Sequence, residues 1–280
     1  MEVASVEAAI HGFGELVELS RDFMATSGAR PAVDSPAAGE RDLQKDENLW
    51  TSQFMGQLLV ESTADHALAL VRVLQQPTLT LAPWTCCRAV LESAALGCWL
   101  MDAGAGPDVR IARSMALRYR AAAETRKATR SNPASQSRQR AHDYVESIEQ
   151  QARSAGLEII SAKGKTVGVG CRIPLITDCI AGQLDMEFEY RILSAIAHSS
   201  PSLVMTLGFG LVSDQESTFL EKRLNPAYAA YLLLKTSEAT VKVVSAWGQL
   251  LGHDLAVYSS HSDAILARIL ASTSIDEPPA

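Results

Sequence analysis

The sequence of 280 residues has few aromatic side chains, no secretory leader pattern and no uninterrupted hydrophobic run of membrane-spanning length. Only 6% of the residues are aromatic, whereas 47% are hydrophobic and 20% are charged. The N-terminus has no basic region followed by an apolar region, which argues against a secretory signal. The most apolar later stretch, 192–213, contains His198 and is broken at Pro201, whereas a membrane-spanning helix needs roughly 20 mainly apolar residues. We therefore expect a soluble, cytoplasmic protein with no membrane association.

The sequence also lacks the patterns that hold metals, phosphates and disulfides. Its five cysteines are odd in number and form no CxxC pair, so we expect buried, reduced thiols. Lys163-Gly164-Lys165-Thr166 matches the end of a phosphate-binding loop, but Ile159 occupies the position of the first glycine. Zinc-ligand spacings, HExxH, Glu-x-x-His pairs and aspartate-rich magnesium motifs are missing. We therefore expect no metal and no cofactor.

Charge is unevenly distributed along the chain. With 25 basic and 32 acidic side chains the net charge is −7, which argues against a surface devoted to nucleic acid or anionic lipid. Segment 110–140 nevertheless has only one acid, Glu124, and nine basic residues. These are Arg110, Arg113, Arg118, Arg120, Arg126, Lys127, Arg130, Arg138 and Arg140. Three interpretations of this segment remain open. It is a solvated face paired with acids elsewhere in the fold, a contact between subunits, or a site for RNA or another anionic partner.

Hydrophobic periodicity predicts an all-α protein, an irregular bundle of about eight to ten helices in a single domain of residues 1–280. We expect an N-terminal helix within 1–29, a loop over 30–47 and the main bundle over 48–280. The loop is rich in Gly, Pro, Ser and charged residues, so we predict that it is mobile unless it folds over a pocket. Helices of the main bundle are predicted over 48–75, 83–102, 108–130, 134–155, 174–180, 185–198, 226–251 and 254–270.

Three further segments carry specific expectations. Alternating glycines in 157–173 predict a short glycine-rich loop or hairpin. Ser213 and Glu216 match a capping box and predict that a helix begins there. The long apolar helix 226–251 carries only Lys235, Glu238 and Lys242 as charges and must bury most of its circumference. We therefore expect one side of this helix to form a homodimer contact.

Two of the apolar helices each carry one narrow polar line. Between residues 84 and 99, Arg88 and Glu92 are the only charges and lie four residues apart. In helix 185–198, Arg191, Ser194 and His198 fall within about 60° of one another, with Tyr190 to one side. Buried ions cost several kcal/mol unless they are paired. We therefore expect Arg88 and Glu92 to be largely buried, with Glu92 contacting Arg191 or His198.

These residues admit a structural and a functional interpretation. They could form a satisfied network that fixes how the two helices pack. Alternatively, His198, Arg191 and Glu92 are catalytic: His198 exchanges protons, Arg191 holds an anion, and Glu92 sets the tautomer or charge of the imidazole. Arg88, Tyr190 and Ser194 would then bind the substrate.

The spacing Arg191-x6-His198, late in a helical chain, resembles the Arg-x4–6-His motif of the HEPN superfamily of helical ribonucleases and nucleotide-binding proteins. The helix with Arg88 and Glu92 is similar to that of uncharacterised actinobacterial proteins with HEPN-like bundles. The resemblance covers roughly residues 60–200. It implies a helical bundle and, in active members, metal-independent RNA cleavage at a dimer interface, with histidine as acid–base and arginine on phosphate. This chain differs from active members at Ile192, where they favour a polar residue.

Three functions follow from these patterns. The first is a small-molecule enzyme or ligand-binding protein with its pocket between the two helices that carry the polar lines. The second is a HEPN-like ribonuclease, and the third is a non-catalytic scaffold. The acidic net charge and Ile192 favour the first over the second.

Overall fold

The computed structural model describes residues 3–28, 30–43, 51–75, 79–129, 136–213 and 218–273. These ranges form eleven helices and two antiparallel two-stranded hairpins, so the predicted all-α class is confirmed. None of the described helices is long and apolar enough to cross a membrane. The helices are α1 Val3–Ser27, α2 Pro36–Leu43, α3 Ser52–Leu74, α4 Ala82–Leu100, α5 Pro107–Ala128, α6 Gln136–Ser154, α7 Ile176–Leu184, α8 Glu187–Ala197, α9 Pro201–Gly208, α10 Pro226–Leu251 and α11 Ala256–Thr273. The strands are β1 Ile159–Ala162, β2 Lys165–Val169, β3 Phe209–Ser213 and β4 Thr218–Lys222.

Helix α10 lies at the centre of the bundle. It begins where the Asn225 side chain accepts hydrogen bonds from the backbone of Ala227 and Tyr228, and it ends at Gly252, whose φ is +73°. It packs against α1, α3, α4 and α11, and only Lys242 and Gln249 are exposed along it. Because helices of the same chain cover its apolar circumference, this helix needs no second copy, and the homodimer stays a prediction.

The predicted loop over 30–47 is wrong for residues 36–43, which form α2. The helix begins beside Ser35, whose hydroxyl accepts a hydrogen bond from the Ala38 backbone, and Pro36 fits its first turn. Residues 44–47 lie outside the described ranges. A helix of eight residues that contains a proline, a glycine and three charged side chains is too short to show apolar periodicity, which is why the sequence pattern indicated a loop.

The helix α2 is held by a buried ion pair. Glu40 is 0% exposed and its Oε1 lies 2.7 Å from Nε of Arg110, which is 2% exposed. The other carboxylate oxygen of Glu40 accepts from the Ser52 backbone at 2.8 Å. Arg110 also donates to the Pro36 carbonyl at 2.7 Å and to the Ala105 carbonyl. Both charges are therefore fully paired at the junction of α2, α3 and α5.

The glycine-rich segment forms the predicted hairpin, with Ile159 opposite Val169 in β1 and β2. Lys163 and Gly164 form its two-residue turn with φ of 51° and 71°, as a type I′ turn requires. The near match to a phosphate-binding loop is thus a hairpin turn.

The helix predicted to begin at Ser213 is wrong. Ser213 ends β3 and pairs with Thr218 of β4, while Glu216 lies outside the described residues. The alternation around Phe209, Leu211 and Phe219 suits strands better than a helix.

We predict that Arg110→Met lowers the free energy of unfolding by about 3–5 kcal/mol, because Glu40 is left as a buried charge without a partner. The double variant Glu40→Leu/Arg110→Met should recover most of that loss. Urea denaturation measures both, with Arg153→Met as the control, since the Arg153–Glu149 pair is exposed and worth about 1 kcal/mol or less. Equal, small losses for Arg110→Met and Arg153→Met would contradict the prediction.

Candidate functional site

Arg88 and Glu92 of α4 meet Tyr190 of α8. Glu92 Oε1 accepts from Arg88 Nε at 2.8 Å and from the Tyr190 hydroxyl at 2.9 Å. The Arg88 guanidinium also lies 5.5 Å from the centroid of the Tyr190 ring. The expected contact with helix 185–198 is confirmed, but it is made by Tyr190. The side chains of Arg88 and Glu92 are 23% and 34% exposed, so most of each side chain is buried, as expected, although neither is fully enclosed.

The three side chains form a closed, neutral network. Burial raises the pKa of the Tyr190 phenol, and its hydrogen bond to the Glu92 carboxylate raises it further. The phenol thus remains a donor at neutral pH. The neighbouring residue of α8, Glu189, accepts a hydrogen bond from Tyr231 of α10. Tyr190 therefore connects α8 to α4, and Glu189 connects α8 to α10. This arrangement supports the interpretation that the network fixes how the helices pack.

Arg191 and His198 do not join this network. Arg191 is exposed and forms an ion pair with Glu187 at 2.6 Å, and His198 is exposed at the C-terminal end of α8. Ser194 is partly buried on the same helix. The expected contact of Glu92 with Arg191 or His198 is wrong, because the face of α8 that packs inward carries Leu193 and Ile196. That face turns Arg191 and His198 towards solvent.

The first basic residues of segment 110–140 connect helices. Arg110 pairs with Glu40, as described above. Arg113 donates to the Trp99 carbonyl and lies 5.2 Å from the centroid of the Trp99 ring. Arg118 donates to Gln151 of α6 at 2.7 Å. Arg130 lies outside the described residues. Further along α5 and on α6, the basic residues Arg120 and Arg140 are exposed.

A cavity of about 500 Å³ lies between α5, the β1–β2 hairpin and residues 171–176. Its wall includes Ile160, Val167, Ile173 and Leu175, and its charged lining consists of Arg120, Lys127, Arg172 and Glu124. Val167 and Leu175 are 56% and 73% exposed, so much of this apolar wall is uncovered. The cavity thus combines an apolar wall with three basic side chains and one acid.

The charges at the cavity are only partly balanced. Lys127 Nζ lies 2.6 Å from Glu124 Oε1, and the hydrogen bond and charge of Lys127 lower the pKa of Glu124. Among the described residues, neither Arg120 nor Arg172 has a carboxylate oxygen within 4.0 Å. Two guanidinium groups are therefore available to a ligand.

Glycine and tyrosine place the hairpin against α5. Gly170 has a φ of +73°, and a Cβ there would lie 2.5 Å from the Ala112 carbonyl oxygen, so only glycine allows this approach. The Tyr119 hydroxyl donates to the Thr166 carbonyl at 2.9 Å. Sequence patterns did not reveal this cavity, although the alternating glycines before Arg172 and the basic run through Arg120 were its signals.

The cysteines do not supply a reactive thiol. Burial raises the pKa of Cys87 and of Cys98 to about 12. Cys171 lines the cavity, and burial raises its pKa as well. A thiol becomes a good nucleophile only when its pKa is lowered.

The described residues contain one group whose atoms could hold a metal ion, His142, Asp143 and Glu146 on α6. All three are exposed, and His142 and Glu146 form an ion pair one helical turn apart at 3.5 Å. This arrangement is typical of a solvated helix face, so it supports no metal assignment.

Neither a scan against protein-family models nor searches of curated proteins and of solved structures finds a match to this chain. The described residues form an all-α bundle whose candidate sites are a cationic cavity and a neutral Arg–Glu–Tyr network. Membership in the HEPN superfamily stays a prediction.

We predict that Tyr190→Phe lowers the free energy of unfolding by about 1 kcal/mol at neutral pH, because Glu92 loses one hydrogen-bond donor. The pKa of Tyr190 is higher in the folded than in the unfolded protein. The contribution of its hydrogen bond to the free energy of unfolding is therefore fully present below the pKa of the unfolded state, near 10, and is lost as pH rises through the pKa of the folded state. The difference between wild type and variant should shrink above about pH 10. Urea denaturation at several pH values measures it, and a difference independent of pH would contradict the assignment.

Proposed function

We propose that this protein binds small molecules that combine an anionic group with an apolar body, and that the cavity beside α5 is the binding site. The observation that carries the proposal is the composition of this cavity, which combines an apolar wall with three basic side chains and one acid, Glu124, on a chain of net charge −7. Its volume of about 500 Å³ lies within the range of small-molecule pockets. The small-molecule ligand expected from the sequence is retained, but its site differs from the α4–α8 junction.

The two kinds of lining have different roles in this proposal. The apolar wall at Val167 and Leu175 would be removed from water by the ligand body, which favours binding. Arg120 and Arg172 suit a carboxylate or a phosphate because a guanidinium donates two parallel hydrogen bonds to either group. Both arginines are exposed, so their contribution should weaken as salt is added.

The lining favours binding over catalysis. The Tyr119 hydroxyl is already engaged with the Thr166 carbonyl, and burial raises its pKa. Burial also raises the pKa of Cys171. Neither group is an activated nucleophile, so the cavity offers recognition without an evident reacting side chain.

RNA cleavage is a second candidate function, and the exposure of Arg191 and His198 on one helix favours it. An exposed imidazole is accessible to a phosphodiester, and Arg191 would have to exchange Glu187 for a phosphate. This is the function that the resemblance to the HEPN superfamily implies. Ser194 and Tyr190, the other candidate substrate-binding residues of α8, lie on the same helix.

We predict that the protein binds 1-naphthyl phosphate more tightly than the neutral 1-naphthylmethanol in isothermal calorimetry. Arg120→Ala and Arg172→Ala should each weaken phosphate binding by roughly fivefold and leave alcohol binding unchanged, because only the phosphate interacts with the guanidinium. Ala123→Leu should weaken both ligands by filling the cavity. Arg140→Ala, an exposed arginine outside the lining, is the control. An equal effect of Arg140→Ala and Arg172→Ala would reject the site.

The ribonuclease function predicts that the wild-type protein cleaves single-stranded RNA in the presence of a chelator. His198→Ala should abolish this cleavage without changing the melting temperature, because His198 is exposed at the end of α8. Wild-type protein without cleavage activity would eliminate this candidate.

A further inference from the structure

A groove of about 720 Å³ lies between α1 and α3 and extends to the start of α10, on elements that do not line the cationic cavity. Its floor is apolar, with Val6 and Leu74 only 7% and 4% exposed and Ile10 and Val71 packed against the core. Its volume is that of a site for a drug-sized ligand. The structure therefore contains a second concave apolar surface with no role in the proposed function.

One edge of the groove is acidic. Glu7, His11, Glu15 and Glu18 follow one another along a single face of α1 at spacings of three and four residues. Glu15 is already neutralised, because it pairs with Arg268 and lies 3.1 Å from His11. Among the described residues, Glu7 and Glu18 have no basic group within 4.0 Å.

The basic side of the groove is smaller. Arg223 is the one lysine or arginine in its lining, against Glu7 and Glu18, since Glu15 is paired with Arg268. The charge of this surface is thus opposite to that of the cavity beside α5.

A glycine keeps the groove open between the two helices. Gly14 lies in the lining, and a Cβ built there would have only Val71 Cγ1 nearby, at 3.8 Å. Alanine therefore fits at this position without displacing a neighbour, whereas a longer side chain would extend into the groove.

We propose that this groove binds organic cations, amines or quaternary ammonium groups carried on an apolar body. The body would cover Ile10, Val71 and Leu224. The positive charge would lie beside Glu7 at one end of the acidic edge or beside Glu18 at the other, since the two positions are about 16 Å apart along α1. Both exposed carboxylates attract a cation and repel the anions that suit Arg120 and Arg172. The chain would thus separate two ligands of similar apolar body by the sign of their charge.

The test uses the full chain and 1-naphthylmethylammonium, which shares its ring system with 1-naphthyl phosphate. Calorimetry should show that Glu7→Gln/Glu18→Gln weakens cation binding by about threefold or more and that added salt weakens it in wild type, as expected for exposed charges. Gly14→Leu should weaken binding at least about tenfold by filling the groove, whereas Gly14→Ala, the matched control, should retain it. Arg172→Ala should leave cation binding unchanged.

Three outcomes would overturn the proposal. The first is that 1-naphthylmethylammonium and 1-naphthyl phosphate bind with equal affinity and that Gly14→Leu weakens both equally. The groove would then recognise only the apolar body. The second is cation binding that Gly14→Leu leaves unchanged at an unchanged melting temperature, which would place the cation elsewhere. The third is a lower mass of Gly14→Leu than of wild type in light scattering, which would identify the groove as a contact between two copies. Failure of phosphate binding alone would affect only the proposed function.

Discussion

The ion pair between Glu40 and Arg110 sets the position of α5, and the cavity depends on that position. Two charges enclosed by protein are tolerated only while each satisfies the other and their remaining hydrogen-bonding groups are paired. The carbonyls of Pro36 and Ala105 and the backbone of Ser52 meet this demand. The N-terminal end of α5 is thus fixed on α2 and α3, and its later turns carry Arg120 and Lys127 to the hairpin.

Position along α5 and α6 therefore divides the basic segment by role. In the first half of α5, arginines join helices alongside the apolar cluster that packs α5 on α6, through Glu40, the Trp99 carbonyl and Gln151. Further along the helix, Arg120 and Lys127 line the cavity. The same residue type thus contributes to packing at one end and is available for recognition at the other. Net charge alone could not separate these roles.

The sequence predicted the long helices because their apolar residues recur with helical spacing, and α10 and the β1–β2 hairpin match the expectation. It missed α2 because the residue that α2 buries most completely is a glutamate, and its partner Arg110 lies 70 positions away. The pairing of Arg88 with Glu92 was visible at four residues' spacing. The orientation of α8 was not visible in the sequence, because both an apolar face and a polar line could have packed inward. In the structure Leu193 and Ile196 are buried, since burial of apolar side chains is favourable. The cavity was missed because it forms only where α5 meets residues 160–176, which are distant from it in sequence.

The hairpin of β3 and β4 connects helices α1–α9 to helices α10 and α11. Every residue of β4 is exposed, and a two-stranded hairpin of this kind adds little stability by itself. The helix that follows, α10, is the one around which α1, α3 and α4 are arranged. A chain cut in this hairpin would therefore separate α10 and α11 from the helices that cover them. The larger fragment would keep the apolar cluster of α5, α6 and the β1–β2 hairpin, but the main core would form only if the two fragments associated.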